Sequence, residues 1–405
     1  MKKLLIAVLC LMLTGCAAPA PSDGSGPDRS VSPDIPAPSP AASSAPNGES
    51  GPPQASPETD PETAENPSAS QEPSESSLGP QNQEQIIQEL LSAMTLEEKV
   101  GQMFFVRCPE TGGAELAAQY KVGGYLLFGR DFKDKTAQQV RDDIQSYQDA
   151  SGIPLLIGTD EEGGTVVRAS SNPDLFPQRE PAPQTLFAQG GMDLILQDAR
   201  QKSMTLLDLG VNVNFAPVAD VSTDPADFIY ARSFGQDAQA TANYVAQVVG
   251  VMGEEQIGSV LKHFPGYGNN VDTHTGIALD QRPYETFQTS DFLPFQAGIQ
   301  AGADAVLVSH NIAASMDESL PASLSPTVHK ILREELGFDG VVLTDDLAMD
   351  AVMEYAQNGS AAVLAIQAGN DMVVTTDFQT QIPQVIHAVQ SGVIAESQID
   401  QAVTR

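Results

Sequence analysis

Between Lys262 and His274 the chain reads Lys-His-Phe-Pro-Gly-Tyr-Gly-Asn-Asn-Val-Asp-Thr-His, so two of only five histidines sit beside a lysine and an aspartate. Imidazole titrates near neutrality. His274 therefore suits proton donation to a leaving oxygen, and Asp272, two residues away, suits holding its tautomer and stabilising imidazolium. Further along, Leu343-Thr344-Asp345-Asp346-Leu347 sets a carboxylate at the end of an apolar run. Asp345 there is a good nucleophile. A nucleophile on one face of a sugar and a proton donor near the leaving oxygen is the arrangement that splits a glycosidic bond with retention, usually through two carboxyl groups about 5 to 5.5 Å apart. The His–Asp donor is one step removed from that carboxylate pair.

Such groups need a rigid frame. Short apolar runs recur at Val100 to Val106, Gly124 to Phe128, Pro154 to Thr159, Val211 to Ala216, Ser259 to Phe264, Ala305 to Ser309, Gly340 to Thr344 and Met372 to Thr375. They lack strict alternation and are rich in Val, Ile, Leu and Phe, as parallel strands covered on both faces require. Helix-like stretches fall between most of them, including Thr136 to Ala150, Met192 to Leu209, Ala238 to Glu254, Glu285 to Ala301, Ser325 to Glu335 and Ser360 to Ala368. Eight strands alternating with helices predict an α/β fold, a (β/α)8 TIM-type barrel forming a single catalytic domain over residues 83–405. Polar groups mark the carboxyl ends of the runs: Arg130, Asp160, Asp220, Lys262 with His263, His310 and Asp345. Barrel enzymes keep their chemistry at that end.

The amino-terminal part reads differently. Lys2 and Lys3 precede an apolar core from Leu4 to Leu13 and then Leu13-Thr14-Gly15-Cys16, too short to span a bilayer and shaped like a secretory signal over residues 1–16. Small residues before a cysteine resemble the lipobox of bacterial lipoproteins, which makes Cys16 the expected acylated residue and places the protein on the outer face of the cell membrane through a lipid anchor. Residues 17–82 contain ten acidic side chains, the single Arg29 and no aromatic residue. A stretch of that composition cannot bury enough apolar area to offset its ordering entropy, and it is expected to be a disordered tether spanning about 45 Å. With Cys10 in the signal and Cys16 lipidated, only Cys108 remains, so no intrachain disulfide is expected. A net charge of −33 disfavours nucleic acid and anionic membrane surfaces as partners. The scattered histidines show no metal-ligand spacing, so no metal or other cofactor is expected. The absence of Trp leaves Tyr, Phe and hydrogen bonds to hold a glycan.

Five segments then resemble, in order, the β-N-acetylglucosaminidases (β-N-acetylhexosaminidases) of glycoside hydrolase family 3. They are Gly158-Thr159-Asp160-Glu161-Glu162-Gly163-Gly164, Asn214-Phe215-Ala216-Pro217-Val218, Arg232-Ser233-Phe234, the Lys262 to His274 stretch, and Thr344-Asp345-Asp346-Leu347. The resemblance implies that Asp345 is the nucleophile, that Asp272 and His274 form the acid/base dyad, and that Asp160, Arg168, Arg232, Lys262 and His263 contact the sugar. It implies an exo-acting, retaining enzyme acting on an aminosugar glycan or muropeptide of peptidoglycan type; a monomer is expected. Two departures stand out: Tyr267 where the family often has His, and a turn between Gly268 and Asp272 one residue shorter than is common. Because His replaces the usual carboxylic acid, phosphorolysis on the same site is a second enzymatic reading. A non-catalytic, glycan-binding surface lipoprotein is the reading from another class.

Overall fold

The computed structural model describes residues 80–270, 278–349, 352, 355 and 360–405. All described residues belong to one compact unit, Glu75–Arg405. The signal, Cys16, most of the tether, Asp272 and His274 lie outside them.

The described strands, in chain order, are β1 (Phe104–Arg107), β2 (Gly124–Leu127), β3 (Leu156–Thr159), β4 (Val213–Asn214), β5 (Gly258–Phe264), β6 (Leu279–Asp280), β7 (Ala305–Val308), β8 (Ile312–Ala313), β9 (Val341–Thr344) and β10 (Val373–Thr375). Eight of them form one parallel sheet in the order β10-β1-β2-β3-β4-β5-β7-β9. A parallel bridge between Leu343 and Met372 joins the two ends, so the sheet closes into the expected TIM-type barrel. β6 and β8 pair separately at the rim.

The barrel is filled rather than hollow. Phe105, Leu126, Phe215, Val260, Leu307, Leu343, Met372 and Val374 point inward as one apolar cluster, with Phe105 and Phe215 meeting edge to face at 5.2 Å. Gly158 is required by that contact, since a Cβ there would stand 2.7 Å from the Phe215 ring and 2.8 Å from Phe105. A larger core lies outside the staves, against the helices. Those helices are set by local signals. Thr136 and Gln139 form a reciprocal cap on Ala137–Asp149, Asp237 caps Ala238–Glu254, and the Gly190-Gly191 break divides Pro183–Asp208.

One strand expectation needs correction. The run from Val100 to Val106 is half helix: Leu96–Gln102 is helical and β1 begins only at Phe104. The deciding signal is a capping box, in which Thr95 accepts from the Glu98 N–H and the Glu98 carboxylate accepts from the Thr95 N–H. Val100 and Phe104 are both fully buried, so hydrophobicity alone does not separate the helix end from the strand.

Candidate active site

The carboxyl ends of the staves open onto a cavity of about 290 Å³, lined by Arg107, Leu126, Phe128, Asp160, Val166, Arg168, Phe215, Arg232, Lys262, His263, Leu307, Asp345, Asp346, Met349 and Val374. Its floor is the apolar interior of the barrel. Polar groups stand above it on turns that the backbone holds tightly.

Asp160 follows β3, and the next residue anchors the whole turn. The fully buried Glu161 exchanges backbone and amide hydrogen bonds with Asn214 of β4. Its carboxylate accepts the N–H groups of Arg168 and Ala169 at 2.9 and 2.7 Å. Glu161 thus fixes the loop that brings Arg168 back to Asp160, where the guanidinium donates to Oδ2 at 3.2 Å. On the other side of Asp160, Lys262 Nζ donates to Oδ1 at 2.7 Å.

Lys262 also reaches Glu162 at 2.6 Å, and Arg232 grips the same carboxylate with two N–H groups at 2.9 and 2.7 Å. Burial alone would push the Glu162 carboxyl up. The charges of Arg232 and Lys262 reverse that effect and hold it well below the usual carboxylate range. Asp160 behaves likewise, with burial outweighed by Lys262 and Arg168. Both carboxylates therefore act as fixed negative charges that orient three cations.

Lys262 and His263 are consecutive on β5 yet both line the cavity. The pairing register shifts between Leu261 and Phe264, and such irregularities re-aim side chains that strict alternation would send to opposite faces. His263 Nε2 lies 3.0 Å from Arg232 Nη2, which can only donate, so the proton sits on Nδ1 and is donated to Asp220 at 2.7 Å. Asp220 also accepts the Tyr267 N–H at 2.8 Å, and the Tyr267 ring stands edge-on to His263 at 5.2 Å. Tyr267 is thus a buried brace for His263.

Asp345 follows β9. Its N–H donates to the Val308 carbonyl at 2.9 Å, and its Oδ1 accepts the Asp346 N–H at 2.8 Å, so both backbone and carboxylate are fixed from the neighbouring stave and the next residue. Asp346 uses its own carboxylate to accept from Ala348 N–H.

The turn leading to Asp272 and His274 is described as far as Asn270, and its root is clamped. Arg282 donates to Asp280 at 2.8 Å, to Asp291 at 3.0 Å and to the Gly266 carbonyl at 3.3 Å, while Asn270 donates to Asp280 at 2.8 Å. Gly266 (φ 121°) and Gly268 (φ 53°) adopt conformations suited to glycine. A Cβ on either would stand 2.3 Å from the Asp291 carboxylate or 2.4 Å from the Arg282 guanidinium.

Residues 95–405 match the glycosyl hydrolase family 3 N terminal domain. The chain belongs to glycoside hydrolase family 3. A Beta-hexosaminidase of Stenotrophomonas maltophilia is 36% identical over 291 residues, which cover 69% of this chain and 85% of that protein. Among solved structures, a family 3 β-N-acetylglucosaminidase from a Paenibacillus strain is 31% identical with a TM-score of 0.70, covering 77% of this chain; this chain spans 61% of that one. A β-N-acetylhexosaminidase from Beutenbergia cavernae is 28% identical with a TM-score of 0.68, over 77% of this chain and 97% of the other.

In this family 3 hydrolase the cavity gathers Asp345, Asp160, Arg168, Arg232, Lys262 and His263. Three other strand-end groups lie elsewhere. Arg130 turns to Glu110 and the Cys108 carbonyl, and Asp220 sits behind His263. His310 is buried, donating from Nε2 to the Asp346 carbonyl and accepting from Ser323. Cys108 is free and buried, its thiol pushed up to about 12 by burial. Sequence reading gave no role to Glu162 or Arg107. Both carried a usable signal: Glu162 stands in a run of three acidic residues that an apolar strand leads into, and Arg107 ends the first stave.

Proposed function

We propose that this hydrolase is a retaining exo-β-N-acetylhexosaminidase that removes terminal N-acetylglucosamine from peptidoglycan-type fragments. The observation that carries the reading is the meeting of Asp345 with the paired donors Arg168, Arg232 and Lys262 in one cavity at the carboxyl ends of the staves. Likeness to proteins named as β-hexosaminidases supports the choice of sugar.

Asp345 attacks the anomeric carbon while the His274 imidazolium gives its proton to the departing oxygen, forming a glycosyl ester on Asp345. Water then attacks the same carbon. His274 takes the water's proton, the ester bond breaks and Asp345 regains its charge, with Asp272 stabilising imidazolium whenever it forms. Asp160, Arg168, Arg232, Lys262 and His263 hold the sugar hydroxyls and acetamido group. Donors already oriented by Asp160 and Glu162 lose little freedom when a neutral sugar arrives.

Removing the proton donor tests the assignment. His274→Ala should lower kcat on N-acetylglucosaminides with poor leaving groups by about 10²- to 10⁴-fold, and lower it less for nitrophenolate, which needs little protonation. Equal turnover by the variant and the parent on both would refute the dyad.

The protein is further proposed to be held to the outer face of the cell membrane by lipid on Cys16, a reading that rests on residues 1–16 alone. Cells fed a labelled fatty acid should label the parent chain and leave Cys16→Ser unlabelled. Label on both would refute the anchor.

A further inference from the structure

We propose that Arg107 reads a carboxylate on the glycoside and so sets substrate specificity. Four cationic side chains besides His263 line the cavity, and three are matched by resident carboxylates: Arg168 by Asp160 at 3.2 Å, Arg232 by Glu162 at 2.7 Å, and Lys262 by both at 2.7 and 2.6 Å. Arg107 differs. Among the described residues its side chain makes no ion pair and no hydrogen bond; its Nε, like that of Arg168, is buried with no partner.

Its position is nonetheless fixed. The guanidinium stands 4.2 Å from the centroid of the Phe128 ring, and Arg168 stands 5.1 Å from the same centroid. These residues come from the ends of β1 and β2 and from the loop after β3, three adjacent staves. An aromatic face holds a cation through its quadrupole while taking none of its in-plane N–H donors. Arg107 is thus a placed guanidinium with its hydrogen-bonding capacity unspent. A sugar hydroxyl accepts from such a group singly. A carboxylate matches the planar fork with two parallel charge-assisted bonds, which makes it the ligand group this geometry favours.

The assignment rests on the hexosaminidase reading and deepens it: the substrate would be a 2-acetamido-2-deoxy glycoside bearing a carboxylate near the scissile bond, because Arg107 shares its cavity with Asp345. The carboxylate has two possible sources, the leaving sugar or the terminal one. The first pair of probes is therefore N-acetylglucosaminyl-β-1,4-N-acetylmuramic acid and its methyl ester. The second is the phenyl glycoside of 2-acetamido-2-deoxyglucuronic acid and its methyl ester.

The readout is the ratio of kcat/KM for acid over ester. The parent enzyme should favour the acid by about tenfold or more in one pair, which identifies the source, and Arg107→Gln should bring that ratio to about one. A parent ratio near one in both pairs, or a preference that Arg107→Gln leaves intact, overturns the assignment, and the parent measurement needs no variant to fold. An aryl β-N-acetylglucosaminide separates the two levels. Turnover of it without any acid preference removes only the role of Arg107, whereas no turnover of it or of the disaccharides removes the hexosaminidase reading and the Arg107 assignment with it.

Discussion

Asp345→Ala should lower turnover of an aryl β-N-acetylglucosaminide on the order of 10⁴-fold or more, the scale seen when a covalent nucleophile is removed. The fold should survive the change. Asp345 is half-buried, its carboxylate accepts the Asp346 N–H, and its backbone stays tied to Val308. Each side-chain bond of that kind that is lost costs about 1 kcal/mol. Kinetics beside a thermal melt therefore separate chemistry from stability, and near-normal turnover in a folded variant would end the nucleophile assignment. A 2-fluoro sugar should also add its mass to the peptide holding Asp345 in the parent and to no peptide in the variant.

Glu162→Ala should act on stability instead. The Glu162 side chain is 2% exposed and takes two hydrogen bonds from Arg232 and an ion pair from Lys262, itself 2% exposed. Deleting one partner of a buried ionic cluster strands the others, at a cost of about 3–5 kcal/mol. Urea denaturation should report that loss. The sign with pH follows from the depressed carboxyl: its contribution is complete above the ordinary value of 4.5 and is lost as pH falls below it towards the folded value. The parent should therefore lose stability on acidification below about pH 4.5 more steeply than Glu162→Gln, which has no charge there to lose. Parallel pH profiles would show that Glu162 holds no such charge.

Much of this architecture was legible in the chain. Parallel strands buried on both faces print themselves as uninterrupted apolar runs, so Gly124 to Phe128 and Ala305 to Ser309 located β2 and β7 to within a residue. The same rule failed at Val100, where a buried helix end and a buried strand start share one apolar run, and only the Thr95–Glu98 cap distinguishes them. Within the site, strand-end position found Asp160, Lys262 and Asp345. It could not say which polar ends face the cavity, because that depends on partners far along the chain. His310 is held by Ser323 and the Asp346 carbonyl, and Asp220 by His263 and the Tyr267 backbone. Glu162 went without a role for a similar reason, since its importance comes from two cations 70 and 100 residues away.

The crowding at Gly266 and Gly268 bears on how this enzyme can be altered. With no room for even a methyl group against Asp291 and Arg282, the first stretch of the turn is a cast part. Insertions or deletions meant to retune the reach of His274 would have to be made after Asn270. Substitutions before that point should first register as misfolding, not as a changed choice of leaving group.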